Sequence, residues 1–288
     1  MAAEYSFGCT ACGKCCTSSP LLSLPELFRH QSRFIGRLGV RRLGGHIDGI
    51  SSGGLFVFTC ALDHAGPGRC PALTDQGLCS LHGEGKPVAC RVVPFDALLP
   101  DEYQGSVLDE RRRDTEHWQV GCLFRGHPGT PVPDGHAVVY RRLRVVDPAI
   151  ERDLELHRKA LRDDYRFWGE AVAAEIGDAL ARAPAAAQTL AEGGVVTLPL
   201  APVLLVLAAS SDAVRSRCLE FVDAQRSLMA SVCAELSGAR ALVLANDRVA
   251  RALATMRTPR SGLPEPERIA LEAWLDVRAR TPRAVANG

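Results

Sequence analysis

The sequence predicts an α+β protein: a cysteine-rich, loop-rich metal-binding N-terminal domain with short strands, followed by an all-α C-terminal domain. Nine of the 11 cysteines lie within the first 122 residues. Short apolar runs interrupted by Gly and Pro fill the N-terminal half, whereas the chain after residue 146 is rich in Ala, Leu, Arg and Glu with helical periodicity. We therefore divide the chain into a cysteine-cluster domain, residues 1–146, and a helical domain, residues 147–288.

The overall composition is that of an ordinary globular protein. The 288 residues are 47% hydrophobic and 23% charged, which argues against disorder. A formal net charge of +1 provides no strong field for nucleic acid or an anionic membrane, so neither is expected as a partner. The longest apolar stretch, residues 198–209, is shorter than the roughly 18 residues that a membrane span requires.

The expected redox compartment decides how the cysteines are interpreted. The N-terminus has no charged segment followed by an apolar one, as a secretory signal would have, so we expect a cytoplasmic location. Disulfides are disfavoured in that compartment. The clustered thiols are therefore predicted to be metal ligands or redox groups.

Local patterns predict few regular elements in the N-terminal domain. A serine-to-glutamate capping box with an early proline predicts a helix over residues 23–38. Residues 55–59 and 136–146 read as strands, and residues 107–108 suggest the start of another. Much of segment 60–95 has neither period, and an irregular segment of this kind predicts an external organiser such as a metal.

The C-terminal domain is predicted to be a set of amphipathic helices. Their expected ranges are 148–162, 165–183, 212–236, 241–256 and 265–280. Cys218 and Cys233 lie on the apolar stripe of the third helix. We expect both to be small buried side chains rather than ligands, because Cys is among the most buried residue types.

The first cysteine cluster has the pattern CxxCxxCC, formed by Cys9, Cys12, Cys15 and Cys16. Two-residue gaps allow successive thiolates to converge on one centre, as in zinc knuckles and iron–sulfur loops. The adjacent pair Cys15-Cys16 is different, since neighbouring side chains diverge and do not easily bind one tetrahedral ion. It suggests two metal centres, a polynuclear cluster, or one ligand beside one supporting thiol.

The second cluster places Cys70, Cys79 and Cys90 within 21 residues that are rich in Gly and Pro turns. Together the two clusters resemble the bacterial CxxCxxCC proteins, also called YkgJ-type zinc- or iron-chelating proteins. The shared pattern is CxxCxxCC, then Cys-Pro-x-Leu, then Gly-x-Cys with an aromatic residue or His three positions on, then Pro-x-x-Cys-Arg-x-x-Pro-Phe. These elements stand, in order, at residues 9–16, 70–73, 77–82 and 87–95, and the resemblance covers about residues 5–125.

The resemblance implies metal binding, with iron or an iron–sulfur cluster favoured and zinc as the alternative. Members often carry one more cysteine downstream, and Cys122 stands where it is expected. One branch resembles the flagellin lysine N-methylases, which implies S-adenosylmethionine as a cofactor and a protein or peptide as substrate. The predicted metal ligands are thus Cys9, Cys12, Cys15, Cys16, Cys70, Cys79, Cys90 and Cys122.

Other candidate residues are given packing or surface roles. Cys60 is predicted to pack at a strand end, and the arginines at 111–113 to form a solvated face. Arg91 has two open readings, a donor to a cluster sulfur and a surface ion pair. Three histidines are expected to be polar loop residues: His46, His64 and His82.

Three functions remain in competition from the sequence. The first is an enzyme that uses an iron-containing centre to modify a protein or peptide, for example by lysine N-methylation. The second is a structural zinc-binding interaction module with closed sites. The third is an electron-transfer iron–sulfur protein. The adjacent thiol pair favours iron, since it bridges two nearby irons more readily than it joins two separate zinc knuckles.

Overall fold

A computed structural model of the chain describes residues 3–16, 20–42, 54–62, 69–83, 85–115, 121–232, 239–256 and 264–276. It confirms a mixed α+β protein with two small antiparallel sheets. The strands are β1 (Glu4–Phe7), β2 (Ile35–Arg42), β3 (Leu55–Leu62), β4 (Leu123–Gly126), β5 (Ala137–Arg141), β6 (Arg144–Val145) and β7 (Val195–Pro199).

The helices are given in chain order, with a 3-10 turn at Lys14–Cys16 and a π-helical turn at Tyr165–Gly169. They are α1 (Leu24–Arg29), α2 (Val88–Arg91), α3 (Asp101–Arg113), α4 (Pro148–Asp164), α5 (Glu170–Ala181), α6 (Pro184–Ala191), α7 (Ala201–Ala208), α8 (Asp212–Val232), α9 (Ala239–Thr255) and α10 (Glu265–Leu275). Within the described ranges, none of these helices has the length and apolar content needed to cross a membrane.

The chain forms two compact units that are interleaved in sequence. Of the described residues, unit 1 comprises 3–16, 20, 69–83, 85–115 and 121–161, and unit 2 comprises 21–42, 54–62, 162–232, 239–256 and 264–276. Strands β2 and β3 lie in unit 2 together with the helices that follow residue 161, and β2 pairs there with β7. The boundary at residue 147 itself stays a prediction.

Unit 1 is built on a four-stranded antiparallel sheet in the order β4-β1-β5-β6. Strand β1 lies between β4 and β5, with Phe7 opposite Leu123 and opposite Ala137. The predicted strand over 136–146 is a hairpin, β5 and β6, because Arg142 and Leu143 adopt positive φ and reverse the chain. The expected strand start at 107–108 is wrong, since both residues are buried in helix α3.

Unit 2 contains a three-stranded antiparallel sheet in the order β3-β2-β7. The predicted helix over 23–38 is correct only for α1, where the capping box forms as expected. A turn follows at residues 30–33, and strand β2 then begins at Ile35 and pairs with β3 and β7 over most of its length. Gly36 permits this, because a Cβ there would lie 2.4 Å from Leu200 Cδ1 and 2.6 Å from Leu27 Cδ2.

The prediction of an all-α C-terminal half is wrong, because this half contributes strand β7 to the sheet of unit 2. Its five predicted helices are observed as α4, α5 with the preceding π-helical turn, α8, α9 and α10. Cys218 is fully buried on α8, as predicted, and burial raises the pKa of its thiol to about 12. Cys233 lies outside the described residues.

Candidate thiol site

The two cysteine loops of unit 1 are packed against each other through two glycines. Gly13 has a φ of +72° and Gly77 a φ of +77°. A Cβ at Gly13 would lie 3.2 Å from Leu73 Cδ2 and 3.3 Å from the Gly77 carbonyl oxygen. The backbone N–H of Cys70 also donates to the carbonyl of Cys16 over 3.0 Å. The loops are therefore held together at the backbone, independently of their sulfur atoms.

The first loop begins where β1 ends. The N–H of Gly8 donates to the Cys122 carbonyl over 3.0 Å, which continues the pairing of β1 with β4. Ala11 then takes a positive φ of 53° and redirects the chain into the 3-10 turn. Cys9 and Cys12 consequently lie exposed before this turn, whereas the two cysteines within it are half-buried.

The second loop is ordered by backbone hydrogen bonds around the buried Cys70. The N–H of Ala72 donates to Cys70 Sγ over 3.4 Å, and a single bridge joins Leu73 to Cys79. The Ser80 N–H and hydroxyl both donate to the Ala72 carbonyl. Cys90 follows on the short helix α2, so the three cysteines of this loop come from three different turns.

Cys16 interacts electrostatically with thiols from both loops. Cys15 donates a hydrogen bond to Cys16, which lowers the pKa of Cys16 and, with burial, raises that of Cys15. The nearby thiols of Cys70, Cys90 and Cys79 act in the opposite direction on the pKa of Cys16. We call these residues the five-thiol cluster: Cys15, Cys16, Cys70, Cys79 and Cys90.

A second, smaller thiol group lies where β4 begins. The Sγ atom of the buried Cys122 is 3.1 Å from the Thr10 hydroxyl, and its thiol is also hydrogen-bonded to that of Cys12. Burial is the largest cause of the raised pKa of Cys122. Cys9 is exposed. The contacts described thus link five of the eight predicted ligands around Cys16 and join Cys12 with Cys122.

No group of three or more His, Cys, Asp or Glu side chains within the described ranges is arranged to hold a metal ion as it stands. The chemistry of the five-thiol cluster is nevertheless that of a soft-metal site, because thiolates select zinc, copper(I) or iron–sulfur centres. Side-chain rotation would be needed to bring these sulfurs to the roughly 2.3 Å that a zinc–thiolate bond requires.

Positive charge lies close to the five-thiol cluster. Lys86 acts electrostatically on Cys15. Arg111 is half-buried and interacts with Cys15 and with the carboxylate of Asp96, while burial lowers its pKa. The predicted solvated face at 111–113 is therefore wrong for Arg111. No local signal in the sequence predicts the burial of Arg111, because that burial depends on how α3 packs.

Arg91 forms an ion pair, which was the second of the two roles considered for it. Its Nε and Nη2 atoms donate to the two carboxylate oxygens of Asp153, each over 3.1 Å. Its Nη1 atom donates to the carbonyl of Lys86 over 3.4 Å. Arg91 thus ties α2, which carries Cys90, to helix α4, and makes no contact with a sulfur among these bonds.

The remaining candidates lie away from the thiols or outside the described residues. Cys60 is buried on β3 of unit 2, which agrees with a packing role. His82 is exposed. His46 and His64 lie outside the described residues. A separate cleft of about 360 Å³ in unit 1 is lined by charged residues of α3 and α4, with Arg158 already paired to Asp101 over 2.9 Å.

Comparisons with protein-family models, with curated proteins and with solved structures found no match. The resemblance to the CxxCxxCC proteins therefore rests on the motif residues alone.

Proposed function

We propose that this chain binds a polynuclear metal centre through the five-thiol cluster, with iron–sulfur favoured over zinc. The observation that carries the proposal is the packing of two separate cysteine loops through Gly13 and Gly77. That packing brings thiols from both loops into mutual electrostatic contact around Cys16. A fold that gathered these thiols only for burial would place them among apolar side chains, as it does Cys218.

The number and arrangement of thiols support more than one metal ion. A structural zinc ion takes four ligands, so five thiols exceed one closed site. Cys15 and Cys16 are adjacent in sequence and both half-buried. Two neighbouring metal atoms accommodate such a pair better than one ion does. Cys9, Cys12 and Cys122 are proposed as further ligands by the resemblance, and they would complete a second metal site.

The surroundings offset the charge that thiolates introduce. Lys86 and Arg111 lie near Cys15, and the main-chain N–H of Ala72 donates to Cys70 Sγ. Hydrogen bonds and nearby cations of this kind tune the reduction potential of iron–sulfur centres. An iron–sulfur cluster held here would supply electron transfer or an open iron for substrate. The residues of this chain would hold it, balance its charge and limit access of water.

Metal and sulfide analysis of protein purified without oxygen tests the proposal. Two or more irons per chain, with sulfide and broad visible absorption, support the iron–sulfur assignment. Colourless protein with about two zinc ions would instead support a structural module. Metal-free protein that cannot be reconstituted with iron and sulfide, or with zinc, would refute the proposal.

Matched variants locate the metal. Cys16→Ser and Cys79→Ser remove one sulfur from each loop of the five-thiol cluster, and we expect both to lose most of the bound metal. Cys218→Ala is the control, because this buried cysteine belongs to unit 2 and should leave the metal content unchanged. Protein that retains metal is then tested for S-adenosylmethionine binding, which the resemblance implies.

A further inference from the structure

One face of the sheet in unit 2 carries two arginines that the thiol site does not use. Side chains alternate along a strand, so Arg37, Gly39 and Arg41 of β2 share a face. The strand register sets Cys60, Phe58 and Phe56 of β3 beside them on one side. Pro199, Thr197 and Val195 of β7 lie on the other side. We call this surface the arginine face, and these nine residues include no carboxylate.

The two arginines differ from the other arginines of comparable burial. Arg37 and Arg41 are half-buried, and the Nε atom of each is buried without a hydrogen-bond partner. Within the described ranges, neither guanidinium forms an ion pair. Every other half-buried arginine in the part of the chain that the structure describes interacts with a carboxylate: Arg69 with Asp75, Arg91 with Asp153, Arg111 with Asp96, Arg158 with Asp101, Arg215 with Asp212, Arg217 with Glu220 and Arg268 with Glu272.

This exception has a physical consequence. Partly burying a charge is unfavourable unless a counter-charge or hydrogen-bond acceptor accompanies it. Arg37 and Arg41 therefore carry donors on one strand that an anionic acceptor from outside the chain would satisfy. The β7 side of the face is open to it, because Val195 is 46% exposed and Thr197 presents an exposed hydroxyl-bearing side chain.

The shape of the face limits what can bind. The Cα atoms of Arg37 and Arg41 are about 13 Å apart, since each strand residue advances about 3.3 Å. The space between them on the β3 side is filled, because a Cβ at Gly39 would lie 2.4 Å from Phe58 Cε2. A ligand must therefore meet the two guanidiniums from the β7 side and offer each its own acceptors. A planar guanidinium binds phosphoryl oxygens in a bidentate manner.

We propose that the arginine face binds a diphosphate group, with Arg37 and Arg41 each contacting one phosphoryl unit. Thr197, opposite Gly39 on β7, would donate its hydroxyl to the bridging region. The ligand is either free diphosphate or the diphosphate of a nucleotide. This site is separate from the five-thiol cluster and does not depend on the metal proposal.

Titration calorimetry of the full chain with inorganic pyrophosphate and with ADP tests the assignment. We expect Arg37→Gln and Arg41→Gln each to weaken binding at least tenfold. Arg42→Gln is the control, because Arg42 is the next residue of β2 and is exposed on the opposite face. Arg37→Lys and Arg41→Lys keep the positive charge and serve if a glutamine variant fails to fold. They should also weaken binding, because an ammonium group cannot bind in a bidentate manner.

The outcomes separate cleanly. Binding lost in the Arg37 and Arg41 variants and kept in the Arg42 variant supports the site. Tighter binding of ADP than of pyrophosphate in that case identifies a nucleotide as the source, and equal binding identifies diphosphate alone. Absence of binding to both probes overturns the proposal. Equal weakening by all three positions overturns it as well, because it shows a general charge effect.

Discussion

Replacing Gly13 by alanine probes the contact that packs the two cysteine loops together. The residue has a φ of +72°, and the left-handed region costs a residue with a Cβ about 1 to 2 kcal/mol. The new methyl group would also lie 3.2 Å from a Leu73 methyl and 3.3 Å from the Gly77 carbonyl. The leucine side chain can move, but the carbonyl is backbone, so we expect a further cost of about 1 kcal/mol.

Gly85 provides the matched control, since its φ is +86° and nothing lies within 4 Å of a Cβ placed there. Gly85→Ala should therefore show the conformational cost alone. The assay is urea unfolding, which gives the free energy of unfolding, together with metal content for each variant. We expect Gly13→Ala to be less stable than Gly85→Ala and to bind less metal. Equal stability and equal metal content in the two variants would refute the view that this contact positions the thiols.

Three other substitutions test specific bonds. Burial raises the pKa of the Asp164 carboxyl well above its ordinary value, so the folded state holds its proton more tightly than the unfolded chain does. The free energy of unfolding of unit 2 should therefore fall as pH rises from the ordinary carboxyl range towards that raised pKa. Urea unfolding of Asp164→Asn across the same pH range should show a smaller fall in that free energy. Gln225→Leu removes three hydrogen bonds of 2.7 to 2.9 Å to the backbone around the start of β2. We expect it to lower the free energy of unfolding in urea by about 3 kcal/mol. A decrease below about 1 kcal/mol would contradict this role. Arg91→Gln breaks a partly exposed ion pair with Asp153 and should cost about 1 kcal/mol or less without changing metal content, whereas loss of metal would show that Arg91 supports the centre.

The helices of the C-terminal half could be predicted because their signals are local. Apolar residues recur at helical spacing, and an aspartate followed by proline marks the start of α4, where Asp147 Oδ1 accepts the N–H groups of Ala149 and Ile150. The cysteine spacings are also local, and they identified the two loops that the fold brings together.

Strand β2 shows why other parts could not be predicted. The apolar residues Phe34, Ile35 and Leu38 suit a helix face as well as a strand, so the sequence pattern alone does not decide between them. Two partner strands decide it, and one of them, β7, comes from the distant C-terminal half. The contact of Cys122 with Thr10 and Cys12 has the same origin, because it depends on the pairing of β1 with β4.

The central position of β2 has a consequence for any attempt to divide the polypeptide. Arg41 pairs with Val195, so a fragment ending before β7 would leave one edge of β2 without its hydrogen-bond partner. Exposed strand edges promote association between chains. Cleavage near residue 147 would therefore yield a cysteine-bearing fragment prone to aggregate and a helical fragment missing two strands of its sheet. The ribosome must likewise complete β7 before the sheet of unit 2 can form, whereas both thiol loops emerge earlier.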